Sequence, residues 1–294
     1  MKHLCSPLCL LLFLACGPPA RDSGAGRKII QNKGSDSMVI VAVVWAEQFK
    51  AVRPDLGVAV GGGGTGSGVA GLLNHTVDIA NATRRMKESE IRSALDQGFE
   101  PFPTVVGYDA PAYVLHRNNP LEMLTFEQLA EIYGEGGTIE SWEQLGVEVP
   151  GCAGNVIVRV SRQDSSGTYE YLRQAILGRE RDYKLGSRDM QGSKDVIELV
   201  AGTPCAIGYT GLAYAPPADV KMPCLAVDSS SPCVVPSMQS AVDGTYPVAR
   251  PLIMYSRDMP QGAAAEYLDW VLSDQGQCIL RQVGYAPVRP VHCP

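Results

Sequence analysis

Three stretches of the 294-residue chain set small hydroxyl and glycine residues between a strand and the start of a helix. They are Gly34-Ser35-Asp36-Ser37-Met38, the run Gly61-Gly62-Gly63-Gly64-Thr65-Gly66-Ser67-Gly68, and Arg162-Gln163-Asp164-Ser165-Ser166-Gly167-Thr168. A helix N-terminus leaves its first N–H groups unpaired and carries a partial positive charge, so it attracts anions. Serine and threonine add hydroxyl donors, and glycine removes the Cβ that would hold a backbone N–H away from an oxygen. The chemistry that fits is recognition of an oxyanion by hydrogen bonds. Taken singly, each stretch also reads as ordinary structure, since Ser or Asp ahead of a helix usually just caps it. Arg162 adds a planar fork able to meet two oxygens at once, and Asp164 is placed to hold that fork. The plain alternative for Arg162 is a solvated charge at a strand end.

Other chemistries fit less well. The glycine run satisfies G-x-G-x-x-G at Gly66, Gly68 and Gly71. A dinucleotide site would also need an acidic ribose partner at the end of the next strand, about 20 residues on. Asp78 comes too early and Glu88 falls in a charged helical stretch. A Walker phosphate loop would end in Gly-Lys-Ser/Thr, which this run lacks. The histidines His3, His75, His116 and His292 are scattered, and no G-x-S-x-G elbow is present. A nucleophilic Ser37 or Ser166 would need a base that the sequence does not display.

The elements that must position these stretches follow an α/β pattern, with short apolar strands alternating with helical segments. Strands are expected at Lys28–Gln31, Val58–Val60, Val77–Ala80, Phe102–Val106, Ala112–His116, Val156–Val160, Ala206–Tyr209 and Pro251–Tyr255. The β-branched run Met38–Trp45 favours a strand by composition. Its length, continuing to Phe49, and the Ser35-Asp36-Ser37 cap ahead of it favour a helix. Thr125 and Gln128 form a capping box opening a helix toward Tyr133, and Gly178 is a stop for the helix beginning near Ser166.

Composition bounds the setting. The hydrophobic fraction of 45% suits a folded protein of one large or two medium domains. A formal net charge of −6 with no basic run argues against nucleic acid or an anionic membrane surface as partner. An anion must then be held by a few local donors and backbone dipoles. Lys2 and His3 precede an apolar run, Leu8 to Ala15, too short to span a bilayer, which reads as a secretion signal. Leu14-Ala15-Cys16 resembles the processing site of bacterial lipoproteins, although Phe13 stands where leucine is usual. Residues 1–16 are therefore expected to be a signal peptide with Cys16 as lipid anchor, and residues 17–27, rich in Gly, Pro and Ala, a flexible tether. Cys5 and Cys9 leave with the signal. The remaining six, Cys152, Cys205, Cys224, Cys233, Cys278 and Cys293, suggest disulfides in an exported chain. No C-x-x-C pair or histidine cluster points to zinc, so no metal or other cofactor is expected. Proximity favours Cys224 with Cys233 and Cys278 with Cys293, but the sequence does not choose among the pairings.

From about Lys28 to Tyr285 the chain resembles the phosphate-binding components of Pst-type ABC transporters (PstS-like), of the type II periplasmic binding-protein fold. The resemblance is carried by Lys33-Gly34-Ser35-Asp36-Ser37-Met38, Gly64-Thr65-Gly66-Ser67-Gly68, Asp78-Ile79-Ala80-Asn81-Ala82-Thr83-Arg84, Ser165-Ser166-Gly167-Thr168-Tyr169-Glu170, Ile207-Gly208-Tyr209 and Tyr246-Pro247-Val248-Ala249-Arg250-Pro251. It implies a two-lobed α/β protein whose ligand sits in the cleft between lobes joined by two hinge crossings. Lobe one would comprise residues 28–107 and 247–294, and lobe two residues 108–246. It further implies phosphate-binding roles for Ser35, Asp36 and Ser37, for Thr65 and Gly66, for Thr83 and Arg84, and for Arg162, Ser166, Gly167 and Thr168. The implied partners are inorganic phosphate and the ABC transporter permease of the inner membrane. The protein would be a monomer that meets the membrane only through its lipid anchor and performs no catalysis.

An acceptor matters as much as the donors. Phosphate near neutral pH keeps a proton that a carboxylate can accept, whereas sulfate would meet that carboxylate as a repulsive neighbour. One branch of the family places an aspartate after the third strand, where this chain has Thr83, so Asp36 is the expected acceptor and Glu170 the next choice. Charge-assisted hydrogen bonds contribute roughly 1.5–3 kcal/mol each. About ten donors shared between two lobes could offset desolvation and leave the roughly 8 kcal/mol of a micromolar complex. The rival readings are a binding protein for sulfate or another tetrahedral oxyanion, a serine-dependent phosphatase, and a surface protein that has lost transport.

Overall fold

The first strand, β1 (Lys28–Gly34), alternates exposed and buried residues through Ile30, Asn32 and Gly34. It begins the computed structural model, which describes residues 28–216 and 218–293. The expected signal peptide, Cys16 and the tether lie outside the described residues. The β-branched stretch after β1 is helical: α1 (Asp36–Val52) buries Met38, Val41, Trp45 and Phe49, whose spacing gives one apolar face. Tertiary packing overrides the strand preference of its valines and isoleucine.

Two mixed sheets follow. The first has the order β2 (Leu56–Gly61), β1, β3 (Ile79–Ala82), β12 (Arg250–Ser256), β4 (Phe102–Asp109). β1 is parallel to β2 and β3, whereas β12 is antiparallel to β3 and β4. One face packs on α1, α8 (Gly262–Leu272) and α9 (Asp274–Val283) around Trp45, Phe49, Tyr267 and Leu280. The other packs on α2 (Gly64–Leu73) through Val69 and Leu72. The second sheet has the order β10 (Val220–Lys221), β5 (Ala112–His116), β9 (Ala206–Thr210), β7 (Val158–Arg162), β8 (Arg188–Met190). Its faces carry α4 (Phe126–Tyr133) and α5 (Gly167–Leu177) on one side and α6 (Ser193–Ala201) on the other. A two-stranded piece pairs β6 (Met123–Thr125) with β11 (Cys224–Ala226). The remaining α-helices among the described residues are α3 (Glu88–Asp96) and α7 (Met238–Val242).

The chain passes from the first sheet to the second at Asp109–Ala112 and returns between α7 and β12. This is a two-lobed α/β fold with both faces of each sheet covered, as the sequence pattern implies.

The third strand begins at Ile79 rather than Val77, because the Val77 side chain packs against α2 and the Asp78 carboxylate accepts the Gln31 N–H at 2.8 Å. The Val156 segment likewise joins its sheet only from Val158. The expected capping box is present: Thr125 Oγ1 accepts from Gln128 N at 3.1 Å and Gln128 Oε1 accepts from Thr125 N at 2.9 Å. Gly178 ends α5. The cysteines pair as Cys152–Cys205, Cys224–Cys233 and Cys278–Cys293. Among the described residues no helix is long and apolar enough to cross a membrane, and no His/Cys/Asp/Glu group is arranged to hold a metal.

Candidate functional site

Because β1, β2 and β3 run parallel, their carboxyl ends share one edge of the first sheet, and Ser35, the Gly62–Gly63 turn and Thr83 follow those ends directly. Crevices beyond strand carboxyl ends are where open α/β sheets bind ligands. From the second sheet, β7 ends at Arg162 and leads through Ser166 into α5. The starts of α1, α2 and α5 therefore face one another across the cleft.

Their hydroxyls meet. Ser35 Oγ lies 3.1 Å from Thr83 Oγ1, and Thr83 Oγ1 lies 3.5 Å from Thr65 Oγ1. Thr65 Oγ1 also accepts the Thr83 N–H at 3.2 Å. Across the cleft, Ser37 Oγ is 3.1 Å from Thr168 Oγ1. All five side chains belong to residues no more than 2% exposed. Ser35 occupies the N-cap of α1 but makes no side-chain cap bond, its hydroxyl going to Thr83 instead. Ser166 behaves in the other way, its hydroxyl capping α5 by accepting from Thr168 N and Tyr169 N at 3.2 and 3.4 Å.

Two glycines make the approach possible. A Cβ on Gly167 would lie 2.2 Å from Thr65 Oγ1 and 2.6 Å from Thr83 Oγ1. Gly64, at φ +89°, would place its Cβ 2.4 Å from Ser165 O, and the next glycine, Gly66, donates its N–H to that carbonyl at 3.0 Å. The backbones of α2 and the α5 turn thus touch because neither carries a side chain there.

Beside the hydroxyls, Asp36 and Arg162 pair across the cleft at 2.9 Å. Asp36 also accepts the Gly63 N–H at 2.8 Å. The carboxylate facing Arg162 is therefore Asp36 rather than the expected Asp164, which is exposed in the turn before α5. The Arg162 fork further donates to Met190 O, Gln191 O and Ser193 Oγ at 3.3, 2.6 and 3.2 Å. Burial lowers the pKa of Arg162, and the charge of Asp36 opposes that shift. Below it, Tyr209 accepts the Arg162 N–H at 3.3 Å and bonds Ser161 Oγ at 2.6 Å, while burial pushes its phenol up to about 12. Arg84 is turned aside into a two-bond pair with Glu90, at 2.8 and 2.9 Å. Glu170 is engaged by Arg173 at 3.3 Å and by Lys87, from the other side of the cleft, at 3.5 Å.

A second buried arginine escaped the residue-by-residue reading. Arg250 and Asp109, both with fully buried side chains, pair at 2.8 Å. Arg250 also donates to the Thr83 backbone O at 3.3 Å and to Thr168 Oγ1 at 2.9 Å, so it bonds a site residue on each side of the cleft. It arrives there because β12 and β4 run antiparallel, which brings the start of one and the end of the other to the site edge. The signal for it was a charged residue opening an otherwise apolar strand, Pro251–Tyr255, within a motif already singled out.

Residues 19–275 match the family described as the PBP superfamily domain. The protein SphX of Synechococcus elongatus is 31% identical over 281 residues, covering 92% of this chain and 80% of the relative. The phosphate-binding protein PstS of Pseudomonas aeruginosa is 29% identical over 271 residues, covering 88% and 83%. A solved structure from Clostridium perfringens, described as a phosphate ABC transporter substrate-binding protein with bound phosphate, aligns with a TM-score of 0.79 at 25% identity over 89% of this chain and 100% of its own. An ABC-type phosphate transport receptor from Vibrio cholerae shares the fold, with a TM-score of 0.69 at 24% identity over 89% and 100%.

Proposed function

The chain belongs to the PBP superfamily, among the phosphate-binding proteins of ABC transporters, and from that premise we propose that its cleft captures inorganic phosphate outside the cytoplasm for delivery to a membrane permease. The observation that carries this reading is the buried convergence of Ser35, Ser37, Thr65, Thr83 and Thr168 hydroxyls from both lobes on one spot. Hydroxyls both donate and accept, so the group can turn its protons toward an anion placed among it. The partial positive charge at the starts of α1 and α5 adds to it. Because the donors come from both lobes, neither lobe alone completes the shell, and bound anion favours closure.

Asp36 takes the role of proton acceptor. Its oxygens each receive one donor, from Gly63 and Arg162, and a carboxylate has about four lone-pair sites, so capacity remains for a phosphate proton. Arg162 holds that carboxylate in place and bridges the lobes. Gly66, Ser166 and Gly167 shape the backbone around the anion, and Arg84 acts at the margin through Glu90. The lobes are residues 28–107 with 247–294, and 108–246. Ser37 and Ser166 hydroxyls are engaged by Thr168 and by helix N–H groups, which fits binding without catalysis. Export is supported by three disulfides, which form outside the reducing cytosol. Cys16 would carry the lipid anchor of a monomeric protein.

Titration calorimetry against phosphate and sulfate, with a phosphate monoester turnover assay alongside, tests the reading. Phosphate should bind at micromolar affinity or tighter, sulfate far more weakly, and no ester should turn over. Equal affinity for sulfate would make this a general oxyanion binder, and turnover would make it an enzyme.

A further inference from the structure

We infer that Arg250 is a positioning residue of the phosphate site, anchoring the Thr168 hydroxyl oxygen and polarising its O–H; this rests on the phosphate reading above. The geometry is one-sided. A guanidinium has donors only, so in the 2.9 Å contact Thr168 Oγ1 must be the acceptor. With one of its two lone pairs taken, Thr168 Oγ1 keeps its proton and its second lone pair for Ser37 Oγ at 3.1 Å and for the hydroxyl group. The arginine fixes where the oxygen sits, and it narrows the orientations its proton can take to those pointing away from the guanidinium. A hydroxyl that accepts a charge-assisted bond in a low-dielectric site is also polarised into a stronger donor.

Arg250 is held for this purpose and does not itself need to reach the anion. Its Nε and Nη2 donate to Asp109 Oδ2 at 3.2 and 2.8 Å, and its Nη1 donates to Thr83 O at 3.3 Å. The Tyr171 ring lies under the guanidinium, 5.5 Å from its carbon, and Tyr171 Oη donates to the neighbouring Ala249 carbonyl at 2.8 Å. Asp109 in turn accepts the Leu212 N–H at 3.1 Å. The pair adds no net charge to the cleft, so its effect on an anion passes through the Thr168 hydroxyl of lobe two.

A double-mutant cycle on phosphate affinity tests this, using the full-length protein, Arg250→Gln, Thr168→Val and the two combined. Each single substitution should weaken binding about ten- to a hundredfold, and the double variant should bind within about twofold of Thr168→Val, because the arginine acts through the hydroxyl that is already gone. Losses that multiply would show that Arg250 and Thr168 act independently and would overturn the inference. Should Arg250→Gln fail to fold with Asp109 left unpaired, the neutral pair Arg250→Gln with Asp109→Asn replaces it in the same cycle with the same expectation. A purely structural arginine would lower thermal stability without this coupling. Failure of the wild-type protein to bind phosphate would instead sink the functional reading, which the cycle's first measurement reports separately.

Discussion

At the scale of single residues, the informative side chains are those that decline an ordinary role. Ser35 stands at an N-cap without capping, and its hydroxyl bonds Thr83 in the cleft. Asp36 opens a helix, where a carboxylate is favoured by the dipole, yet both its oxygens are directed to the cleft-lining Gly63 and Arg162. Replacing Asp36 with Asn keeps the shape but adds a donor where an acceptor is required. Phosphate should weaken while sulfate strengthens or holds, so the affinity ratio narrows by about tenfold or more in calorimetry. An unchanged ratio would remove Asp36 as the acceptor. Arg162→Ala leaves the Asp36 carboxylate without its partner across the cleft and should weaken both anions alike in calorimetry. The residue types at Ser35, Ser37, Thr65 and Thr168 were legible because hydroxyls clustered before helices are unusual as a repeated device. The partner of Arg162 was not, because Asp36 is 126 positions away and only the fold brings it near.

Among elements, the site is a consequence of strand direction. Three parallel strands deliver their following turns to one edge, and β7 delivers α5 from the opposite sheet. That logic could be read from strand-turn-helix spacing. The antiparallel placement of β12 could not, since a strand's direction in a sheet depends on its neighbours, and so Arg250 was quoted within a motif without a role. Short strands such as β8 and β10 were invisible for a simpler reason: two or three residues carry no periodicity. The close approach of α2 to α5 gives a prediction at this scale. Alanine at Gly167 suits the helix itself but would press its methyl against Thr65 and Thr83 from the other lobe. Gly167→Ala should retain its melting temperature within a few degrees, lose phosphate affinity by at least about tenfold, and show a larger radius of gyration in phosphate by small-angle scattering. A variant as compact and as tight as wild type would refute the steric argument.

The molecule as a whole is two sheets, each wrapped by helices, tied by two crossings of the chain. Its fold class was legible from the alternation of strands and helices together with the family motifs, whereas the third disulfide, Cys152–Cys205, was not, its partners being 53 positions apart. That bridge ties the segment before β7 to the start of β9, where Val158 N also donates to Cys205 O at 3.0 Å. Replacing both cysteines with serine should lower stability by about 2–4 kcal/mol, read as an earlier urea midpoint, with phosphate affinity nearly unchanged. A large loss of affinity would mean that the bridge shapes the cleft. The three bridges share a property with a mechanical meaning: Cys152–Cys205 and Cys224–Cys233 close within the residues around the second sheet, and Cys278–Cys293 within those around the first. No bridge therefore joins the two sheets among the described residues. Where the chain crosses between the two sheets, Asp109 and Arg250 meet with fully buried side chains, so the crossing is held by an ion pair and not by a covalent bridge.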